Sequence, residues 1–120
     1  MKVLIVDASA VMREIVIRAL RQAGHADPTC VEASNGREAL DKIAEDSPDL
    51  ILSDWNLPEI SGIEILRILR ERGSKIPFCF FTAEATLAMR TRAREAGAIG
   101  FVTKPFTPDQ FREALGDLLG

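Results

Sequence analysis

The sequence predicts an α/β fold: one doubly wound parallel sheet of five strands alternating with five helices. Three observations carry that expectation. Short aliphatic runs such as Val3-Leu4-Ile5-Val6 and Leu50-Ile51-Leu52 have no polar alternation, as suits strands covered on both faces. Between the runs lie segments with helical apolar spacing, bounded by capping and breaking residues. Strand and helix patterns alternate from end to end without repeats, linkers or low-complexity tracts, and right-handed crossovers leave few other arrangements.

The first run ends at Asp7. Ser9 then serves as N-cap for a helix whose apolar positions are Val11, Met12, Ile15, Val16, Ala19 and Leu20, stopped at Gly24. Thr29-Cys30-Val31-Glu32-Ala33 is half polar and reads as an edge strand. Asn35-Gly36 opens a second helix with Ala39, Leu40, Ile43 and Ala44 inward, closed by Ser47-Pro48. The third strand ends at Asp54, and a breaker-rich loop with Asn56, Pro58 and Gly62 leads to a helix carrying Ile63, Ile65, Leu66 and Leu69 up to Gly73. A fourth run, Ile76 to Phe81, ends in Thr82-Ala83-Glu84. The helix after it, from about Ala85 to Ala96, has only a thin stripe of Leu87, Met89 and Ala93, which leaves it free to present a surface. Ile99-Gly100-Phe101-Val102 forms the fifth strand and Thr103-Lys104-Pro105-Phe106 a turn. Thr107-Pro108 then caps a last helix packed through Phe111, Leu115, Leu118 and Leu119.

With 120 residues and 47% hydrophobic content, residues 1–120 are expected to be one domain with one core. Fifteen basic residues are scattered among eighteen acids for a net charge of −3, so no basic field for nucleic acid is evident. The apolar runs fall far short of the roughly 18 residues a membrane span needs, and the first residues lead straight into a strand instead of a signal peptide. The expected compartment is the cytoplasm, with Cys30 and Cys79 as reduced, buried thiols.

In an open α/β sheet, ligands collect at the carboxyl ends of the strands. Asp7, Asp54, Thr82 and Lys104 are expected to meet there, a set suited to phosphoryl transfer, where positioning and charge neutralisation do most of the work. Asp54 would attack phosphorus. Asp7, Asp54 and the backbone carbonyl of Asn56 would offer oxygen ligands to Mg²⁺. Thr82 would donate to one phosphoryl oxygen and Lys104 would neutralise another.

Over its whole length the chain resembles the receiver domains of two-component response regulators, most closely the chemotaxis members of CheY type. The likeness rests on Val6-Asp7, Ser53-Asp54-Trp55-Asn56-Leu57-Pro58, Gly62, Phe81-Thr82-Ala83-Glu84, Ala96-Gly97-Ala98 and Lys104-Pro105-Phe106, and on the spacings between Asp54, Thr82 and Lys104. It implies the flavodoxin-like strand order 2-1-3-4-5. In that order strands two and four lie roughly 14 Å apart, too far for Cys30 and Cys79 to pair. The resemblance further implies phosphate uptake by Asp54 from a phosphohistidine on a histidine kinase or phosphotransfer partner, with Mg²⁺ required. Thr82 and the strand-five aromatic, here Phe101 where many relatives carry Tyr, would be the switch pair. A cis peptide would precede Pro105, and Asn56 and Glu84 would tune the hydrolytic water. The fourth helix, fifth strand and fifth helix would meet a downstream protein. The chain would be a switch that catalyses only its own phosphorylation and dephosphorylation, not a metabolic enzyme.

One departure stands out: the family usually has two adjacent acids after the first strand, and the second position here is Ala8. Weaker Mg²⁺ binding is expected, together with less repulsion beside Asp54 in the metal-free protein. A phosphate-independent pseudo-receiver is therefore the alternative reading, and a small phosphatase of another fold a weaker third. Several residues carry plainer readings. Trp55, in a loop after the acid, is expected to be partly exposed, with packing as the alternative. Glu84 reads equally well as an offset for charge at a helix N-terminus. Arg90, Arg92 and Arg94 read as a solvated face, with a partner patch as the lesser alternative, and His25 as a solvated loop residue, not a phosphodonor.

Overall fold

The aliphatic runs form the interior of the sheet, and the breakers mark where the chain leaves it. The computed structural model describes residues 1–24 and 27–119; His25, the subject of one of the expectations above, lies outside the described residues. In chain order the elements are β1 (Lys2–Val6), α1 (Ala10–Ala23), β2 (Thr29–Ala33), α2 (Gly36–Asp46), β3 (Leu50–Ser53), α3 (Gly62–Glu71), β4 (Phe78–Thr82), α4 (Leu87–Glu95), β5 (Gly100–Thr103) and α5 (Pro108–Leu115), followed by a 3₁₀ turn, Gly116–Leu119. The sheet has the order β2-β1-β3-β4-β5 with every pairing parallel.

Alternate residues of each strand supply the two faces. Val3, Ile5, Leu50, Leu52, Cys79, Phe81 and Val102 pack against α1 and α5 through Val16, Leu20, Phe111 and Leu115. Leu4, Val6, Ile51, Phe78 and Phe80 pack against α2, α3 and α4 through Ala39, Ile63, Leu66, Leu69 and Ala93. Every α-helix begins on a side-chain cap: Ser9, Asn35, Ser61, Thr86 and Thr107 accept from a backbone N–H three residues on, and Thr107 with Gln110 closes a capping box. Among the described residues no helix is long and apolar enough to cross a membrane.

Several expectations about individual residues are corrected. α4 begins at Leu87 instead of Ala85, because the Thr86 hydroxyl caps it. Leu87 is 81% exposed, so the apolar stripe shrinks to Ala93 and the half-buried Met89. Val11 and Ile15 point to solvent, since the core-facing stripe of α1 runs through Met12, Val16, Ala19, Leu20 and Ala23. Ala44 is likewise exposed on α2, and Ile99 is exposed just ahead of β5. Leu118 is exposed because the helix has passed into the 3₁₀ turn, leaving α5 to pack through Phe111 and Leu115; the side chain of Leu119 lies outside the described ones. Both cysteines are free. Cys79 is buried, which pushes its thiol up to about 12, but Cys30, on the edge strand, is only half-buried.

The loop after β3 is closed by an approach only glycine permits. The Gly62 N–H donates to the Trp55 carbonyl at 2.8 Å, and a Cβ at Gly62 would stand 2.3 Å from the Asp54 carbonyl oxygen and 2.9 Å from the Phe80 ring. Gly62→Ala is expected to cost at least about 3 kcal/mol, because the overlap is with backbone. Gly73→Ala, at φ +83 with nothing within 4 Å, should cost only the strain of a left-handed residue, about 1 to 2 kcal/mol. Urea midpoints of the two variants check this; equal losses would contradict it.

Candidate functional site

Parallel pairing delivers the site residues to one edge. The Asp7 N–H donates to Ala33 O at 3.1 Å and the Asp54 N–H to Val6 O at 2.9 Å, so both acids continue the ladders of β1 and β3 just past their ends. Thr82 is the last residue of β4 and lies beside Thr103 of β5. The Lys104 N–H donates to Thr82 O at 2.8 Å, starting the turn at the same edge. The Lys104–Pro105 peptide bond is cis.

The Lys104 side chain runs back over the sheet edge, with its ammonium 5.3 Å from the centre of the Phe81 ring. Nζ donates to Asp7 Oδ2 at 3.0 Å and to Asp54 Oδ2 at 3.2 Å. The three side chains are 17%, 5% and 13% exposed, respectively. One ammonium thus serves two largely buried carboxylates. The other Asp7 oxygen accepts from the Ser9 N–H at 2.8 Å, and the other Asp54 oxygen accepts a long bond, 3.4 Å, from the Asn56 N–H. Burial pushes the Asp54 carboxyl above its ordinary 3.8 and the Asp7 charge adds to the rise, while Lys104 and the Asn56 N–H pull against it.

Thr82 is fully buried, and its hydroxyl has no hydrogen-bond partner. A buried hydroxyl without a partner is costly and calls for an explanation. Ala8, Asn56 and Glu84 are exposed around this edge, and Phe101 is half-buried. Trp55 is only 7% exposed, against the expectation of a partly exposed ring. It packs on Phe80 and Phe101, with ring centroids 5.0 and 6.3 Å away. The arginines of α4 are exposed, but two of them do more than face solvent: the Arg90 guanidinium sits 4.8 Å from the Phe101 ring centre and that of Arg92 5.4 Å from Trp55.

Arg13 is a residue that sequence reasoning missed. Its Nη1 donates to the Asp7 carbonyl at 2.6 Å while Nε pairs with Glu32 at 2.9 Å, tying α1 and β2 to the turn that holds Asp7. The only signal was its place one turn after the Ser9 cap. Among the described residues no group of three or more His, Cys, Asp or Glu side chains is arranged to hold a metal ion. Asp7 and Asp54 remain as hard oxygen donors with a surplus negative charge once Lys104 is counted. Such a donor set fits Mg²⁺, which binds through one or two carboxylates and keeps several waters.

Comparison with known proteins agrees with the fold. Residues 3–116 match the family model described as the response regulator receiver domain. The chain is 36% identical over 123 residues to a chemotaxis protein CheY homologue of Campylobacter jejuni, covering 100% of this chain and 93% of that one. Among solved structures it is similar to the chemotaxis response regulator CheY4 of Vibrio cholerae, with a TM-score of 0.83, 32% identity and 98% of each chain covered. It is also similar to the receiver domain of a NarL response regulator from Mycobacterium tuberculosis, with a TM-score of 0.86, 28% identity and 98% and 94% coverage.

The raised carboxyl of Asp54 has a consequence for stability. Because the folded chain holds that proton more tightly than the unfolded chain, stability falls as pH rises from the ordinary 3.8 through the raised value. At neutral pH the whole of that loss is present. Asp54→Asn is therefore expected to raise the denaturant midpoint of the metal-free protein at pH 7, with the gap closing as pH falls through the carboxylate range. An equal or lower midpoint for the variant at pH 7 would contradict this.

Proposed function

The chain belongs to the response regulator receiver domain family, and on that premise we propose that it is a phosphorylation-dependent switch with Asp54 as its phosphoacceptor. The supporting observation is the buried, unpartnered Thr82 hydroxyl on the strand next to Asp54. Acceptor oxygens arriving at Asp54 would give that donor the partner it lacks.

In this reading an Asp54 carboxylate oxygen attacks the phosphorus of a phosphohistidine on a histidine kinase or phosphotransfer protein. A P–O bond forms, the P–N bond breaks, and its electron pair returns to the imidazole. The product is an acyl phosphate on Asp54. Lys104, already donating to Asp54 Oδ2, follows the charge onto a phosphoryl oxygen. Thr82 donates to another. Asp7, Asp54 and the Asn56 carbonyl would hold Mg²⁺, which would supply charge neutralisation for the phosphoryl oxygens. Arg13 and the Ser9 N–H keep Asp7 aimed at the site by holding its carbonyl and its second carboxylate oxygen. Asn56 and Glu84, both exposed, govern access of the water that hydrolyses the acyl phosphate.

As Thr82 turns to the phosphoryl group, Phe101 follows inward and changes the surface formed by α4, β5 and α5, where a downstream protein docks. Phe101 has no hydroxyl, so its two positions differ only in packing and in its contact with the Arg90 guanidinium. The chemistry is confined to the chain's own phosphorylation and dephosphorylation.

A second reading, a phosphate-independent pseudo-receiver, is favoured by one observation. Ala8 offers no carboxylate, and both oxygens of Asp7 are already engaged, by the Ser9 N–H and by Lys104.

Intact mass after incubation with acetyl phosphate and Mg²⁺ separates the two. The switch predicts one added phosphoryl group, absent in Asp54→Asn. No addition at saturating Mg²⁺ would overturn it in favour of the pseudo-receiver. Ala8→Asp, by restoring a ligand, is expected to tighten Mg²⁺ binding about ten- to a hundredfold and to speed the phosphorylation.

A further inference from the structure

α4 is weakly fixed by ordinary packing. Its one buried side chain is Ala93, whereas α3 buries Ile63, Ile65, Leu66 and Leu69. Beneath α4 lies a triad of rings: Trp55, Phe80 and Phe101, with centroids 5.0, 6.0 and 6.3 Å apart pairwise. Arg90 and Arg92, two positions apart and so on roughly opposite sides of the helix, each place a guanidinium over one ring, Arg90 over Phe101 and Arg92 over Trp55. Among the described residues neither arginine is paired with a carboxylate. The helix therefore sits astride the triad with a cation at each flank.

We propose that Arg90 and Arg92 are positioning residues that hold α4 on the sheet through these two ring contacts, and that Arg92 reports the charge state of Asp54 to α4 through Trp55. The second half rests on the reading of Asp54 as phosphoacceptor. Trp55 follows Asp54 directly in the chain, and its carbonyl is fixed by the Gly62 N–H, so the backbone that carries the acid also carries the ring. A guanidinium is attracted by the electron-rich ring face. A phosphoryl group on Asp54 would add negative charge on the residue before that ring and draw on the Arg92 cation held over it. Arg92 leaves its ring as the inward turn of Phe101 draws the other ring from Arg90, and α4 loosens. Arg94, on the same helix, lies over no ring in the described structure and serves as the control.

Hydrogen exchange of the Leu87–Glu95 amides tests the clamp on the unphosphorylated protein. Removing either guanidinium from its ring is expected to speed exchange about two- to fivefold, and Arg90→Gln with Arg92→Gln roughly tenfold together. Arg94→Gln should leave exchange unchanged. Lysine at both positions keeps a cation over each ring and should restore most of the protection. Trp55 emission, from the sole tryptophan of the chain, should shift in Arg92→Gln and stay put in Arg94→Gln. Wild-type exchange rates in the Arg90→Gln, Arg92→Gln double variant would overturn the clamp.

For the coupling, the same amides are followed after acetyl phosphate and Mg²⁺, with intact mass on each sample. Faster α4 exchange in the phosphorylated wild type, and a smaller gain in phosphorylated Arg92→Gln, is the expected result. Unchanged or slower exchange in a wild type that carries the phosphoryl group overturns the coupling, as does an equal gain in the variant. Absence of the phosphoryl group would instead overturn the phosphoacceptor reading and the coupling with it, while the clamp stands or falls on the unphosphorylated variants.

Discussion

Lys104 holding Asp7 and Asp54 on one ammonium is the interaction around which the rest of the molecule is arranged. Two carboxylates this deeply placed repel each other and have lost much of their hydration, and the low polarity that penalises them also strengthens their hold on a shared cation. The pair is tolerable only while that cation is present. Its geometry demands that three strand ends arrive at one edge in register. The N–H of Asp54 on Val6 and the N–H of Lys104 on Thr82 provide this. The close pass of Gly62 over the Asp54 carbonyl then fixes the loop that follows. The sheet delivers the charges and Lys104 keeps them together.

That arrangement is one positive charge short of neutral, and the proposed chemistry of the site follows from the shortfall. A divalent cation fits the two acids, and a phosphoryl group fits the lysine and the unpartnered Thr82 hydroxyl. Ala8 tilts the balance. With a second adjacent acid the edge would carry more repulsion than Lys104 offsets and would draw metal strongly. With alanine, Lys104 comes closer to sufficing alone. On the reading proposed above, alanine at this position would stabilise the metal-free protein and weaken its response to Mg²⁺.

Much of this is legible without the structure, because it follows from local pattern. The aliphatic runs, the caps Ser9, Asn35 and Thr107, and the acids and lysine at strand ends are short-range signals. The strand order needs the family resemblance, since periodicity does not say which strands are neighbours. Trp55 departs from its expected exposure because its burial depends on Phe80 and Phe101, which come from other strands. Leu87, Val11 and Ile15 face outward against expectation because helical spacing marks a stripe without saying how much of it the sheet covers. The roles of Arg13 and Arg92 are hidden in the sequence because their partners, a carbonyl oxygen and a ring face, leave no complementary charge there.

Lys104 as the shared counter-ion is tested most directly by the denaturant midpoint of Lys104→Met at neutral pH without divalent metal. Leaving two buried carboxylates uncompensated should cost about 3 kcal/mol or more, and adding Asp54→Asn to the same chain should recover most of the loss. A Lys104→Met protein as stable as the wild type, or one that Asp54→Asn does not rescue, would contradict it.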